Sequence, residues 1–486
     1  MSLANQVKNQ HLMWRAGFGP AVEQLADLPQ FSHKELYKAL QKASSKKPEY
    51  IDVADDFLKG LFAGIDEVGR QERRKEMTED EKKKIQQKNR ESIKSLNLNW
   101  LKVFVNTDAQ LREKMAFFWH GHFACRNLNV FYQQGLLDVI RRNALGSFRD
   151  MLHEVSKSAA MLNFLNNQQN RKDHPNENFA REVMELFTLG RGNYTENDIK
   201  EAARSFTGWS ADLKGQFVFR RFQHDFGSKT VLGKTGNFDG DEVLDILLSQ
   251  KQTAKFITQK IYKFFVNENV DDEKVNWLSN RFFESTYDIG KLMEDIFTSD
   301  WFYDEKNIGA RIKSPIELLA GIQRILPMEL ANQEALTFLQ RALGQILFYP
   351  PNVAGWPGGK TWIDSSSLML RMRIPQLIND VDEFNVKAKD DDDQMMGRKN
   401  ADDGDMMKGI AKRSVIRATI DWKQYIGHFD KVNKDQLIGS IATNLLQTKT
   451  GVSNDLIKQY TDATSKESFI RSATLQLMST PEYQLC

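Results

Sequence analysis

The chain has 486 residues and a mass of 56.1 kDa, with 41% hydrophobic and 27% charged residues, a composition that excludes disordered and fibrous classes. Sixty-seven Lys and Arg against 65 Asp and Glu give a formal net charge of +2, so no global field steers it to nucleic acid or to an anionic membrane. Two cysteines, Cys125 and Cys486, exclude a disulfide framework, although a single bridge between them is open.

In chain order, residues 7–64 read as short helices. His11 and Arg15 lie four apart on one helix face with Trp14 and Phe18, and Gly17 and Gly19 end that turn. Residues 65–95, rich in Lys, Arg, Glu and Gln, are expected to form an exposed helix pair or a mobile arm. From Leu96 to Phe123 large apolar side chains recur at helical spacing, which predicts a core helix ending near His120-Gly121-His122. Further helices are expected over 131–143 and 148–166. Pro175 opens another that runs to Leu189 and stops at Gly190. Thr195 and Asp198 have the spacing of a capping box for the next helix.

Residues 216–232 are the best strand candidate, since Phe217 and Phe219 alternate with Val218 and Arg220 before a glycine-containing turn. Helical patterns return from Asp239 to about residue 350. Pro350-Pro351 and Gly355 to Gly359 then form a loop that Trp356 and Trp362 anchor. The expected architecture is mainly α: a large multi-helix array with a small β hairpin near 216–232. Residues 1–385 form its main helical domain, 386–410 a mobile acidic loop, and 411–486 C-terminal helices packed on the main domain. The run Asp390 to Asp393 departs from the twelve-residue calcium-loop pattern.

Several segments carry a family likeness. They are HLMWRAGFG at 11–19, FWHGHF at 118–123, the stretch from Met161 to Trp209, HDFGSK at 224–229, GQILFYPPNVAGWPGGKTWI at 344–363, and LMSTPEY at 477–483. Together they resemble the bacterial family known as domain of unknown function 1800, over nearly the whole chain. Two departures are Gly121, where the family motif is expected to carry Asn, and Asn166, where it is expected to carry Asp. The resemblance implies a protein that is commonly exported. It also implies a partner, encoded beside it, that looks like a sulfatase or phosphatase relative. It implies no catalytic residue.

The residues themselves suggest where a site lies. Glu177, Arg181 and Glu185 are four apart and share a helix face, among Phe179, Val183, Met184 and Phe187. Carboxylates pressed between apolar neighbours need a partner, and Arg181 is the shared candidate. The alternative is an internal ion-pair network that only positions helices. His120 and His122 suit a divalent metal if a turn at the helix end brings them together, with His224, Asp225 or a glutamate as a third ligand; otherwise they are polar groups at a helix end. His224, Asp225 and Lys229 follow the strand candidate in a turn that can host an acid, a base and an anion-binding cation, or only turn chemistry. Arg15 and Lys229 are candidate substrate contacts, and Trp209, Trp356 and Trp362 a stacking platform or plain loop anchors. No phosphate loop, metalloprotease ligand helix or nucleophile elbow is present.

Two functions compete on this reading. One is a hydrolase-like enzyme acting on a polysaccharide or sulfated glycan, with Glu177, Arg181, Glu185, His224 and Asp225 as its acid, base and charge-holding groups. The other is a noncatalytic envelope scaffold or partner protein.

Overall fold

The computed structural model describes residues 2–61, 75–212, 214–379 and 418–486. The expected acidic loop at 386–410, and with it Asp390 to Asp393, lies outside the described residues. The N-terminal helix α1 (Ser2–Arg15) is followed by α2 (His33–Ser44), α3 (Asp56–Gly60) and the long α4 (Glu79–Asn106). The polar sequence around residues 79–91 is thus the exposed first half of a single 28-residue helix, where a helix pair or arm was expected; its second half buries Ile93, Leu96, Trp100, Leu101 and Phe104.

Helix α5 (Gln110–His122) is buried on all sides, with Gly121 as the sole residue of it left partly accessible. It nevertheless carries Arg112, Glu113 and Lys114, and each charge is answered. Glu113 accepts from the Trp100 indole at 3.0 Å, from Arg112 at 3.0 Å and from Arg141 Nε at 2.9 Å. Lys114 donates to the carbonyls of Trp14 and Gly17 at 3.1 and 2.8 Å and pairs with Glu317. A helix without a polar face survives burial because its charges leave water only as saturated sets.

The middle of the chain contains α6 (Val130–Asn143), α7 (Phe148–Lys157) and α8 (Ala159–Phe164). The expected single helix over 148–166 breaks because Ser158 takes an extended backbone and caps α8 through the Met161 N–H. The helix expected from Pro175 to Leu189 is also divided. A short α9 (Asn178–Glu182) runs into a π-helical stretch from Val183 to Thr188, where the Thr188 hydroxyl donates to the Val183 carbonyl at 2.7 Å. The next helix, α10 (Glu196–Ser205), has the capping box that Thr195 and Asp198 announce.

Two small antiparallel hairpins stand where one was expected. Strand β2 (Phe217–Phe219) pairs back with β1 (Trp209–Ala211), and β3 (Lys229–Val231) pairs forward with β4 (Lys234–Gly236). Both ends of the 216–232 segment find partners outside it, since Gly215 and Gly233, each at positive φ, supply the turns.

Helices α11 (Gly240–Leu248), α12 (Lys251–Phe265), α13 (Asp272–Glu284), α14 (Ile289–Phe297) and α15 (Pro315–Ile325) follow. After β5 (Met328–Leu330) come α16 (Glu334–Ala342), α17 (Ser365–Asn379), β6 (Ala418–Ile420), α18 (Trp422–Gly427), α19 (Leu437–Leu445), α20 (Asn454–Gln459) and α21 (Lys466–Met478). The C-terminal segment is tied to the rest twice. Strand β6 pairs with β5, and residues 484–486 exchange backbone hydrogen bonds with 311–313. Cys125 and Cys486 are buried free thiols, so the bridge left open by the sequence is not made. Among the described residues no helix is long and apolar enough to cross a membrane.

Candidate functional site

Most residues singled out from the sequence serve the scaffold. The Glu177–Arg181–Glu185 ladder does not form. Arg181 pairs with Glu177 at 3.2 Å and with Glu196 of α10 at 2.8 Å, and all three are substantially open to solvent. Glu185 lies inside the π-helical stretch, which turns it away to Arg191 at 2.7 Å and to the Tyr194 hydroxyl. Arg181 is therefore a surface clasp between α9 and α10.

The histidine pair diverges as well, because Gly121 continues the helix instead of bending it. His120 accepts the Phe348 N–H at 3.1 Å on Nε2, among the rings of Trp100, Phe348 and Trp356. Burial pushes its pKa down to about 3, so it stays a neutral acceptor. Phe348 holds a left-handed backbone at φ 69°, which this bond helps to maintain. His122 faces Phe123, Phe148 and Phe187, with Nε2 3.3 Å from the Phe187 carbonyl. Among the described residues, no three His, Cys, Asp or Glu side chains are placed to hold a metal ion together.

The second cluster is turn chemistry. His224 places Nδ1 2.9 Å from the Thr207 carbonyl and lies between the rings of Phe219 and Phe226. Asp225 pairs with Arg204 at 2.7 Å and accepts the Gly227 N–H at 2.7 Å. Lys229 is buried and spends its ammonium on the carbonyls of Asp225 and Phe238 at 2.5 and 2.7 Å. Trp209 is buried in the apolar core, with Lys157 over its ring. Arg15 is fully buried and donates to the Asn307 carbonyl at 2.8 Å.

A cavity of about 520 Å³ opens elsewhere, and of the expected residues His122, Trp356 and Trp362 line it. The end of α5 supplies Phe117, Phe118, Gly121 and His122. The last turns of α12 supply Lys260, Lys263 and Phe264. Glu268 follows, Arg311 and Ser314 precede α15, and the loop 354–362 closes the mouth. The loop comes this close because its glycines permit it. A Cβ at Gly355, whose φ is +82°, would strike the Gly121 carbonyl, and one at Gly359 would strike the Glu268 carboxylate. Gly121, the departure from the expected Asn, has nothing within 4 Å of where its Cβ would be, so the missing side chain leaves room at the cavity wall.

Charge in this cavity is unbalanced. Lys260, Lys263, Arg311 and Lys360 face Glu268, the carboxylate among the described lining residues. Lys260 makes one long hydrogen bond, 3.5 Å to the Leu186 carbonyl, and lies 5.2 Å from the centre of the Phe256 ring, and burial pushes its pKa down to about 8. Arg311 lies over the Phe264 ring with its Cζ 4.7 Å from the centroid, and its Nη1 is buried without a hydrogen-bond partner. Its nearest carboxylate, Glu317, is 3.9 Å away and already engaged by Lys114 and by the Ser314 N–H at 2.7 Å. Those neighbours outweigh desolvation and hold Glu317 down at about 2. Behind this wall lies Lys313, in contact with the rings of Trp14 and Tyr483, and pushed down to about 7 by burial. His122, held neutral by burial and by the nearby Lys260 charge, keeps Nδ1 without a hydrogen-bond partner.

The sequence reading missed Arg311, Lys260, Lys263, Glu268 and Lys360. One local signal existed for the first: Ser314-Pro315-Ile316-Glu317 is a capping box just downstream, which turns the Glu317 carboxylate back to the Ser314 N–H and toward Arg311. Lys260 and Lys263 carried no signal, since basic residues toward the C-terminal end of a helix are ordinary.

Residues 11–485 match the model of a family described as a protein of unknown function, DUF1800. No curated protein and no solved structure matches the chain.

Proposed function

The chain belongs to the DUF1800 family, which brings no catalytic assignment, and from its own cavity we propose that it binds an anionic carbohydrate, a sulfated or uronate-bearing glycan. The observation that carries this reading is Arg311: a buried guanidinium with an unpartnered Nη1 on the wall of a cavity whose other cations outnumber its carboxylate. A buried donor without a partner costs about 1–3 kcal/mol, more when charged, and an anionic ligand removes that cost. Trp356, Trp362, Phe118 and Phe264 add flat apolar faces suited to the underside of a sugar ring.

Glycoside hydrolysis ordinarily needs two carboxyl groups flanking the bond, and Glu268 supplies one. The geometry therefore favours binding over that reaction. A hydrolase reading rests on His122 instead, whose Nδ1 has no hydrogen-bond partner, although burial and the Lys260 charge oppose its taking up a proton. The sulfatase- or phosphatase-like partner would then act on the same esters that this cavity recognises.

Calorimetric titration with a sulfated tetrasaccharide and with its desulfated counterpart tests the reading. The sulfated form should bind and the desulfated form should not. Arg311→Met should weaken binding at least tenfold, a loss of about 1.4 kcal/mol. Equal affinity for both sugars would overturn it.

A further inference from the structure

The turn after β2 displays a group of side chains that neither the core nor the cavity uses. Phe222 is 74% exposed, Phe226 50% and Phe219 41%. Phe219 and Phe226 form one patch, flanking the His224 ring at 5.1 and 4.8 Å, with the Arg221 guanidinium 5.5 Å from the centre of Phe226 and Phe222 next to Arg221 in the same turn. Burying His224 against Thr207 fixes the turn, so these rings are held out by a rigid base.

The rim of the patch is basic. Arg221 is exposed and Arg220 partly so, and the Lys172 N–H donates to the Gln223 carbonyl at 2.8 Å, which sets the exposed Arg171 and Lys172 alongside. Of the acids alongside, Asp173 and Glu177 lie on that neighbouring loop, Glu177 pairing with Arg181 at 3.2 Å, and Asp225 is neutralised by Arg204 at 2.7 Å.

We propose that this turn docks the protein on an anionic lipid surface, with Phe219, Phe222 and Phe226 entering the headgroup layer and Arg220, Arg221, Arg171 and Lys172 meeting the lipid charge. Size argues for lipid over protein. A stable protein interface takes roughly 20–30 residues a side, whereas this patch comes from two short turns. A ring as exposed as Phe222 needs a shaped socket in a rigid partner, but a headgroup layer deforms around it. Aromatic and arginine side chains settle at that depth because each combines an apolar body with a polar end. Attraction to anionic lipid adds with each cation and weakens with salt. The inference is independent of the cavity.

Flotation of the full chain with phosphatidylcholine vesicles, with and without about 30% phosphatidylglycerol, tests it. The wild type should float with the anionic vesicles alone and be released by 0.5 M salt (roughly a 4 Å screening length). Phe222→Ser with Phe226→Ser should lower the bound fraction at least fivefold while leaving thermal unfolding unchanged, since both rings are exposed. Arg220→Gln with Arg221→Gln should erase the preference for anionic lipid. Failure to float, equal partition to both vesicle types, or flotation unchanged by the double Phe variant would overturn the proposal. So would a wild-type dimer in solution that the double Phe variant abolishes, which would assign the patch to a second copy of the chain.

Discussion

Two of the places where this molecule buries charge are organised in opposite ways. At Glu113 one carboxylate collects an indole and two guanidiniums at about 3 Å, and every oxygen is used. At Arg311 the guanidinium leans on a ring, reaches a carboxylate already committed to Lys114, and leaves a buried N–H over. The first set closes on itself, as a network that fastens α4, α5 and α6 should. The second opens into a cavity. Burial alone therefore does not mark a functional charge; an unanswered hydrogen-bonding group beside open space does.

The largest expected effect separates the two sets by stability. Glu113→Ala strips the partner from two buried guanidiniums and should lower the unfolding free energy by about 3–5 kcal/mol, read from urea denaturation. Arg311→Met should change it far less, because Glu317 keeps Lys114. If both variants lose the same amount, the contrast fails.

Acid offers the next test. Burial lowers the pKa values of His11, His120 and His122 in the folded chain, His120 to about 3. Below roughly pH 6.5 the unfolded chain takes up protons that the folded chain refuses, so stability should fall as pH drops. The slope should approach roughly 1.4 kcal/mol per pH unit for each histidine. Glu317, whose folded pKa is depressed, adds its own loss only below about pH 4.5. Calorimetry between about pH 6 and pH 4.5 isolates the histidines, because Lys313, at about 7 in the folded chain, is already charged there, and a flat melting temperature over that window would refute their burial in neutral form.

A smaller change sharpens the cavity itself. Gly121 is helical with free space about its Cβ position, so Gly121→Ala should stabilise by about 0.5–1 kcal/mol. The added methyl should also narrow the cavity and weaken sulfated-sugar binding by a few-fold in titration. Least of all should follow from Arg181→Met, which breaks exposed pairs with Glu177 and Glu196. Its melting temperature should shift by less than about 2 °C, and sugar binding should not change. A large loss would restore the buried ladder that the sequence suggested.

What could be read without the structure was whatever a few neighbouring residues decide. The periodicity from Leu96 to Phe123 announced buried helix there, although as one helix where residues 107–109 break it into α4 and α5; Thr195 and Asp198 announced the capping box of α10, and the spread of matching segments the family. The same periodicity misled at Glu185, because one π turn rotates a side chain off its row, and at 216–232, because strand partners lay just outside the segment. It could not say that α9 meets water where the end of α5 meets a cavity. That was decided in three dimensions. His120 holds Phe348, 228 positions away, and Lys114 holds Glu317, 203 positions away. The loop at Gly355 reaches the Gly121 carbonyl only because Gly355 lacks a Cβ. Local rules act over about one helical turn, whereas the balance of charge around a cavity depends on which distant cations the packed chain brings to one wall.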